Sequence, residues 1–331
     1  MAIRILGTGS FLPPKVVTND DLAKTLDTSD EWIFSHTGIH SRHIAGADES
    51  TSTLAIAAGK AAIESAGVNP EDIGLVIVAT CSPDFNVVPS VACIVQDALG
   101  CKNAGAYDLL AACTGFVYAL EQARCWVMAH PGAKALVIGA ETLSRIVDWK
   151  DRGTCILFGD GAGAVVIGDE VDGASSKAYL YSDGSGWADI VREGGSRKIP
   201  ADAPVPHSTL LMQGHAVFNF AVRTVTSTIN QVAEAIGIKP NDFDLIFAHQ
   251  ANWRILESVS RRVKVPMEKF FITIHDTGNT SGASIPIALD RAVKEGKLKD
   301  GMKICLVGFG AGHTWGGTAM TWPLVCLNGN F

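Results

Sequence analysis

The sequence is short of the features that mark membrane proteins, secreted proteins and nucleic-acid-binding proteins. Only 18% of its 331 residues are charged and the formal net charge is −7. This negative net charge argues against nucleic-acid binding, which requires a basic surface. No apolar run approaches the ~18 residues of a membrane span. The opening stretch "MAIRILGTGSFLPP" is too briefly apolar for a signal peptide. We expect a cytoplasmic protein that has neither nucleic acid nor membrane as a partner.

Signatures of metal sites are missing as well. None of the eight cysteines forms a C-x-x-C pair, which argues against structural zinc, and most are interpreted as reduced, buried small side chains. His36, His40 and His43 have helix-like spacing, but Gly38 interrupts it and no carboxylate completes a ligand set. We expect no metal.

Three glycine clusters lack the dinucleotide-binding fingerprint, and there is no Walker sequence. The clusters are "GTGS" (7–10), "GDGAGAV" (159–165) and "GFGAG" (308–312). The first two are interpreted as turns where backbones approach closely, since glycine is the residue that such sites demand.

Apolar runs and glycine are abundant, with 47% hydrophobic residues and 34 glycines. Runs rich in Val, Ile and Ala alternate with helix-like segments, which predicts an α/β fold whose sheet is buried on both faces. Both halves end in a strand that leads to a Gly-rich turn, so we interpret the chain as duplicated α/β halves. The predicted strands lie within 73–80, 105–112, 134–141, 155–168, 243–250 and 302–312, and the clearest helices within 52–67 and 215–237.

Cys113 is the first candidate for chemistry. In "DLLAACTGFVYAL" (108–120) it stands between a strand-like run and a helix, and a helix N-terminus lowers the pKa of a thiol. The small neighbours Ala111, Ala112 and Gly115 allow a sharp turn and close approach of a substrate. The alternative is a cysteine that only packs in the core.

Two further polar residues lie at element junctions. His249 in "FAHQANWRI" (247–255) follows an apolar strand, and Asn279 lies in "HDTGNTSGAS" (275–284) before an apolar helix. Either residue alone has a purely structural explanation. Together with Cys113 they fit a Cys/His/Asn nucleophilic site, because such groups gather at the carboxyl ends of strands.

Six strings extend this pattern over essentially the whole chain. They are "DTSDEWIFSHTGIHSRHIA" (27–45), "AACTGF" (111–116), "DRGTCILFGDGAGAVV" (151–166), "HQANWRI" (249–255), "GNTSGAS" (278–284) and "GFGAGHTWG" (308–316). In these strings and their order the chain resembles the β-ketoacyl-[acyl-carrier-protein] synthase III family. The resemblance implies a thiolase-like fold, with duplicated α/β halves in a five-layered αβαβα arrangement. It implies a homodimer, an N-terminal half (1–173) with the nucleophile and a C-terminal half (174–331) with His and Asn.

The resemblance also implies a reaction, the condensation of an acyl-CoA primer with malonyl-acyl carrier protein that initiates fatty acid synthesis. Cys113 would take the acyl group, and a neutral His249 with Asn279 would stabilise the enolate formed by decarboxylation. The backbone N–H groups of Cys113 and Ala311 would form a second oxyanion hole, Ala311 standing where the family usually has glycine. The CoA thioester and the phosphopantetheine-linked carrier protein are substrates, so no cofactor is implied.

Substrate contacts follow from the same resemblance. Trp32 and Arg152 are implied at the CoA adenine, while His36 stands where the family commonly has arginine and cannot form a guanidinium stack. Three arginines of "WRILESVSRRVK" (253–264), Arg254, Arg261 and Arg262, would steer the acidic carrier protein. The alternative for them is an ordinary solvated helix face.

The acyl pocket is implied at Phe309 and at Val88, the residue before Pro89 in "SPDFNVVPS" (82–90). Relatives that prefer acetyl-CoA carry a bulky aromatic residue at this second position. Valine leaves room, and each buried CH₂ contributes ~0.8 kcal/mol, so primers longer than acetyl are expected.

Other functions remain open on the residues alone. A condensing or acyl-transferring enzyme of a secondary-metabolite pathway would use the same three residues. A Cys/His thioester hydrolase also fits, although the apolar strands around Cys113 favour exclusion of water. A binding protein without activity fits least, because none of the three polar residues is missing.

Overall fold

The computed structural model describes residues 2–86, 88–170, 177–192 and 209–322. Its strands form two main sheets and two small two-stranded ones. The strands are β1 (Ala2–Phe11), β2 (Val16–Thr18), β3 (Ser41–His43), β4 (Ile73–Ala79), β5 (Gly105–Leu109), β6 (Lys134–Glu141), β7 (Gly161–Glu170), β8 (Tyr179–Ser182), β9 (Ile190–Arg192), β10 (Leu210–Met212), β11 (Leu245–Ala248), β12 (Lys303–Gly310) and β13 (Thr314–Thr321).

The helices begin and end at residues that suit helix termini. The helix predicted within 52–67 starts after Ser50, whose hydroxyl accepts from the backbone N–H of Thr53, and ends before Gly67 at φ 63°. The helices are α1 (Asn19–Ala23), α2 (Asp30–Thr37), α3 (Thr51–Ala66), α4 (Val91–Ala98), α5 (Gly115–Ala129), α6 (Arg152–Cys155), α7 (Gly214–Ala235), α8 (Trp253–Val263), α9 (Ile274–Thr277) and α10 (Ser284–Lys294).

The two main sheets are stacked with helices between them and outside them. One sheet has the strand order β1-β7-β6-β4-β5 and the other β11-β12-β13-β8. Helices α5 and α10 contact both sheets, α3 and α4 pack on the outer face of the first, and α7 contacts the second. The largest apolar cluster, with Phe116, Leu120 and Leu289, fills the central layer. This is the predicted five-layered αβαβα arrangement.

Parallel pairing brings several strand ends to one place. β4 is parallel to both β5 and β6, and β11 is parallel to β12. The carboxyl ends of β4, β5 and β6 therefore meet at one edge of the first sheet, and those of β11 and β12 meet in the second. Groups that follow these strands are the ones that an α/β fold places at its ligand site.

The two central helices start in the same way. Ala112 at φ 47° opens a 3₁₀ turn over Ala112–Thr114 that runs directly into α5, and Ser281 at φ 48° opens one over Ser281–Ala283 that runs into α10. Positive φ is costly for a residue with a side chain and is retained where the surroundings impose it. The repeated turn supports the interpretation of duplicated halves.

Some sequence expectations need correction. The run at 155–168 was expected to be one strand, but α6 ends at Cys155 and β7 begins only at Gly161. The cluster "GTGS" does not form a turn, because it lies inside β1. Its glycines do allow close approach, since a Cβ on Gly9 would lie 2.3 Å from the carbonyl oxygen of Ala58 in α3.

The second cluster continues a strand in a similar way. A Cβ on Gly163 in β7 would lie 2.5 Å from the backbone nitrogen of Ile287 in α10. The expected close approach of backbones is therefore present here too. The division at 173/174 falls outside the described residues and stays a prediction. No helix within the described ranges is long and apolar enough to cross a membrane.

Candidate active site

Cys113 lies where β5 leads into α5, in the turn that Ala112 opens. The neighbouring strand ends add two groups that the sequence did not single out, Cys81 after β4 and Glu141 at the end of β6. The thiol of Cys81 donates to Oε1 of Glu141 over 3.2 Å, so the edge of the first sheet carries two thiols and a buried carboxylate.

The acidity of Cys113 differs from the sequence expectation. The helix start was expected to lower the pKa of the thiol, but burial raises that pKa to about 12, while a hydrogen bond with Ser281 lowers it and the charge of Glu141 raises it further. Part of the residue remains accessible to solvent. Desolvation is the largest of these effects on the pKa of the thiol.

His249 directly follows β11 and is held on several sides. Its backbone N–H donates to the carbonyl of Val307 over 2.8 Å, its Nδ1 lies 2.8 Å from Oγ of Ser284, and the ring of Phe309 contacts it edge-on at 4.9 Å between centroids. Burial lowers the pKa of the imidazole to about 3. Burial therefore favours the neutral form of the ring that the resemblance implies.

Asn279 is fixed by backbone pairing and by its own amide. Its N–H donates to Leu157 and its carbonyl accepts from Gly159, at 2.8 and 3.0 Å. Its Oδ1 accepts from the backbone N–H of Ser281 over 2.8 Å. Because the amide oxygen is used in this way, Nδ2 is left as the hydrogen-bond donor of the side chain.

Ser281 joins the three predicted residues. Its hydroxyl lowers the pKa of Cys113 and its backbone raises the pKa of His249, which places both side chains next to it. Its N–H donates to Oδ1 of Asn279 over 2.8 Å. The residue is 1% exposed. The structure therefore brings Cys113, His249 and Asn279 together around one buried serine, at the place where the starts of α5 and α10 face each other.

The turn after β12 closes the site from another side. A Cβ on Gly310 would lie 2.6 Å from the backbone nitrogen of Cys113, so this glycine allows the turn to reach the nucleophile. The next residue, Ala311, is not among the non-glycine residues with positive φ in the described ranges. Its backbone conformation thus suits an L-residue, and alanine replaces glycine there without conformational cost.

The gap between the Trp32 ring and the guanidinium of Arg152 is too small to hold a base. The guanidinium carbon of Arg152 lies 4.6 Å from the Trp32 ring centroid, and the His36 ring stacks on Trp32 at 4.3 Å with 23° between planes. A base between Trp32 and Arg152 needs ~7 Å, two van der Waals contacts. Arg152 must therefore move for such a sandwich to form.

The three arginines of the predicted carrier-protein surface are exposed on α8, whose other face is buried through Ile255 and Val259. Nε of Arg254 donates to the carbonyl of Ser35 over 3.0 Å, which links α8 to α2. Arg261 lies 3.6 Å from Glu257, one turn earlier. Arg262 is exposed on the same helix.

The two acyl-pocket candidates differ in solvent exposure. Phe309 is 2% exposed and contacts His249, while Val88 is 76% exposed on the single chain.

The three histidines considered for a metal have other partners. His36 bonds the carbonyl of Trp32, His40 bonds Asp30, and His43 bonds the carbonyl of Pro13. Within the described ranges no group of three or more His, Cys, Asp or Glu side chains could hold a metal ion.

Sequence reasoning missed Ser281, Glu141 and Cys81. Ser281 was inside the quoted string "GNTSGAS", but nothing in the string distinguishes its hydroxyl from those of Thr280 and Ser284. Glu141 carried a clearer signal, because it is the single charged residue after six apolar ones in β6, and a carboxylate that ends a buried strand needs an explanation.

Comparisons with known proteins agree on one family. Two family models match, "3-Oxoacyl-[acyl-carrier-protein (ACP)] synthase III" over residues 107–184 and its C-terminal counterpart over residues 233–322. A β-ketoacyl-[acyl-carrier-protein] synthase III of Clostridium acetobutylicum is 48% identical over 324 residues, covering 97% of this chain and 99% of the relative.

Solved structures of similar proteins match over nearly the whole length. The β-ketoacyl-[acyl carrier protein] synthase III of Thermus thermophilus has a TM-score of 0.91 at 41% identity, covering 96% of this chain and 99% of its own. A priming β-ketosynthase of a polyketide biosynthetic pathway also has a TM-score of 0.91, at 36% identity, with coverage of 97% and 96%.

Proposed function

This chain belongs to the 3-oxoacyl-[acyl-carrier-protein] synthase III family, and on that premise we propose that it condenses an acyl-CoA primer with malonyl-acyl carrier protein. The products are a 3-oxoacyl-acyl carrier protein, CoA and carbon dioxide, and the reaction initiates fatty acid synthesis. The observation that carries the proposal is the meeting of Cys113, His249 and Asn279 at Ser281.

In the first half-reaction Cys113 attacks the thioester carbonyl and CoA leaves. The tetrahedral intermediate carries a negative oxygen, for which we propose the backbone N–H groups of Cys113 and Ala311 as donors. The proximity of Gly310 to the Cys113 nitrogen supports this pairing. The acyl group then waits on Cys113 as a thioester, which is ping-pong covalent catalysis.

In the second half-reaction malonyl decarboxylation leaves an enolate that attacks the acyl-Cys113 thioester. We propose the neutral His249 ring and Nδ2 of Asn279 as the donors to the enolate oxygen. Loss of one such donor costs ~3–4 kcal/mol of transition-state stabilisation. A histidine whose pKa is about 3 stays neutral at physiological pH, so it contributes a hydrogen bond without competing for the proton of an acid.

No cofactor enters this scheme, because CoA and the phosphopantetheine arm of the carrier protein arrive as parts of the substrates. For binding we propose Trp32, His36 and Arg152 at the adenine end of CoA. Arg254, Arg261 and Arg262 form an exposed cationic side of α8, which we propose as the surface for the acidic carrier protein.

We further propose a cytoplasmic homodimer. β5 is an edge strand of the first sheet. Tyr107 within this strand is 41% exposed, and Leu110 directly after it is 77% exposed. An exposed apolar edge strand invites pairing with another strand. Val88, also exposed, would then reach the partner's acyl pocket.

A second candidate function is priming of a polyketide pathway, which the match to a priming β-ketosynthase favours. The two differ in the primer and in the carrier protein, so one assay separates them. The enzyme is incubated with acetyl-, butyryl-, hexanoyl- and branched acyl-CoAs, and mass spectrometry identifies the group on Cys113, with Cys113→Ser as the control.

The same assay then supplies malonyl-acyl carrier protein and measures carbon dioxide and product. A 3-oxoacyl product together with carbon dioxide is the expected result, with butyryl and hexanoyl primers used better than acetyl. Free fatty acid without carbon dioxide would instead identify a thioester hydrolase, and an unmodified Cys113 with every primer would contradict the proposal.

A further inference from the structure

The turn after β12 ends at His313, which has an unusual backbone conformation. The φ of His313 is 46°, and the φ of Gly312 before it is 73°. Positive φ is ordinary for glycine but costly for a residue with a side chain, which keeps it only where the surroundings impose it. The cause therefore lies in the groups that surround the side chain and the backbone of His313.

The imidazole of His313 is held by three residues that lie far from it in the sequence. Its Nε2 lies 2.8 Å from Oδ2 of Asp189, and its ring stacks on Phe220 of α7 at 4.0 Å between centroids with 8° between planes. Gly186 approaches so closely that a Cβ there would lie 2.1 Å from Cε1 and Nδ1 of the ring. The side chain of His313 is only 14% exposed. The ring is therefore fixed by α7 and by the 3₁₀ segment Gly184–Asp189.

The 3₁₀ segment is itself fixed by backbone hydrogen bonds at its two ends. The N–H of Asp183, just before the segment, donates to the carbonyl of His313 over 3.0 Å. The carbonyl of Asp189, at the end of the segment, accepts from the N–H of Gln213 over 2.7 Å. The imidazole and the backbone of His313 are thus bound by the same part of the chain.

The other end of the turn faces the nucleophile. The hydroxyl of Thr314 lies 3.1 Å from the carbonyl oxygen of Ala111, and the hydroxyl of Thr114 donates to the carbonyl of Thr314 over 3.0 Å. Ala111 and Thr114 lie on the two sides of Cys113 in the chain. The turn Ala311–His313 therefore connects the nucleophile turn to the 3₁₀ segment.

We propose that His313 is a positioning residue for acyl loading. With its ring held by Asp189, it keeps the turn at the geometry in which the N–H of Ala311 donates to the oxygen of the acyl group on Cys113. The inference rests on the proposed function, because it takes the N–H of Ala311 as an oxyanion donor. His313 itself does not touch the acyl group and acts only through the backbone of the turn. A donor stabilises the developing charge only at hydrogen-bond distance, so a small displacement of the turn removes much of its effect.

The alternative is that the His313 ring only packs against its neighbours, and two reactions of Cys113 separate the roles. Loading from acyl-CoA passes through a tetrahedral intermediate with a negative oxygen, which the proposed oxyanion hole stabilises. In alkylation by iodoacetamide the Cys113 sulfur bonds to the methylene carbon, iodide leaves and the thiol proton goes to solvent, so no oxyanion forms. A displaced turn should therefore slow loading and leave alkylation unchanged, whereas a general loss of structure would change both.

Gly186→Ala is the sharpest variant, because it disturbs the ring from the 3₁₀ segment and changes no residue of the turn. We expect the maximal rate of single-turnover loading to fall by about 100-fold, as for a displacement of ~1 Å. The acyl-CoA concentration at half-maximal rate and the rate of alkylation should match those of the wild type. Gly184→Ala is the matched control, because a Cβ on Gly184 meets nothing within 4 Å. Loading by Gly186→Ala at the wild-type rate would overturn the proposal.

Two variants at Asp189 test the hydrogen bond to the ring. Asp189→Ala removes the partner of Nε2 and should slow loading about tenfold, again without an effect on alkylation. Asp189→Asn keeps a hydrogen-bonding side chain of the same shape and should restore most of the rate. Asp189→Ala added to His313→Ala should cause no further loss, because both variants remove one contact. Wild-type loading by Asp189→Ala and His313→Ala would overturn the proposal, and so would an equal fall in loading and alkylation.

Failure of the proposed function and failure of this inference give different results. A wild type that loads no acyl group from any acyl-CoA would count against the condensation reaction. Hydrogen–deuterium exchange of the peptide 308–316 would then still test the role of His313, since Gly186→Ala should speed exchange there and Gly184→Ala should not. A wild type that loads normally, beside a Gly186→Ala variant that loads and exchanges in the same way, would leave the condensation reaction intact and overturn the role of His313.

Discussion

The α-carbon of Gly310 faces the backbone nitrogen of Cys113 so closely that a Cβ would lie 2.6 Å from that nitrogen and 3.2 Å from that of Thr114. Both contacts are to backbone, which cannot rotate away as the end of a side chain can. The turn after β12 is therefore pressed against the nucleophile turn, and the geometry of the proposed oxyanion hole depends on this contact.

Gly310→Ala should displace one of these turns and lower the rate of Cys113 acylation by about 100-fold, the cost of a misplacement of ~1 Å. The measurement is single-turnover loading from acyl-CoA. Gly184→Ala is the control, because a Cβ on Gly184 meets nothing within 4 Å. Wild-type loading by Gly310→Ala would show that the turn adjusts and that the contact is not required.

The lowered pKa of His249 predicts how stability depends on pH. The imidazole titrates at about 3 in the folded protein and at 6.5 in the reference state, so between these values the unfolded chain binds more protons. The free energy of unfolding should then fall as the pH falls, by about 1.4 kcal/mol per unit at most.

Urea unfolding of the wild type and of His249→Gln from pH 7 to pH 4 measures this contribution. The stability of the wild type relative to the variant should decline across the range. A constant difference for His249→Gln would mean that this imidazole is not held neutral by burial.

Arg262→Glu should raise the KM for malonyl-acyl carrier protein several-fold and leave the KM for acyl-CoA unchanged, since a reversed charge repels an acidic partner. Steady-state kinetics at low and high salt measure it, and salt should shrink the difference. Arg254→Glu is less clean, because Arg254 also fastens α8 to Ser35. Lys60→Glu, on an exposed face of α3, is the control. Equal changes in both KM values would remove the docking role.

Trp32→Ala should weaken the binding of acyl-CoA more than that of acyl-pantetheine, because only acyl-CoA carries the adenine proposed to stack on the ring. The ratio of kcat/KM for the two thioesters is the measurement, and a loss of about tenfold for acyl-CoA corresponds to ~1–1.5 kcal/mol of stacking. His36→Arg places a guanidinium where this chain has an imidazole and should strengthen the binding of acyl-CoA. An equal loss with both thioesters would assign Trp32 to packing.

Leu110→Asp should convert a dimer into a monomer, since it places a charge on the apolar edge beside β5. Light scattering after size-exclusion chromatography measures the mass. Val16→Asp introduces the same charge at another exposed apolar residue and should leave the mass unchanged. A monomeric wild type would contradict the homodimer directly.

The sequence was most informative where chemistry and element boundaries coincide. Cys113, His249 and Asn279 each follow or precede an apolar run, and the structure places each at such a junction. Helix bounds were also predicted well, because Ser50 and Gly67 act through their immediate neighbours. Local signals of this kind can be read along the chain.

What the sequence did not reveal depends on distant residues. Burial raises the pKa of Cys113, and this burial comes from segments far along the chain that the local sequence does not show. Ser281 lies 3.7 Å from the sulfur of Cys81, 200 positions earlier in the chain, so this contact is not visible from the local sequence of either residue.

The turns that begin at Ala112 and Ser281 have the same geometry but carry different functional groups. The same left-handed residue, 3₁₀ turn and central helix occur twice, but the residue that follows is a cysteine in one copy and Gly282 in the other. The two equivalent turns face each other, and only one of them carries the sulfur atom that would bond to the acyl group. The second copy supplies the hydroxyl of Ser281 and the amide of Asn279 beside that sulfur, so neither half has a complete site of its own.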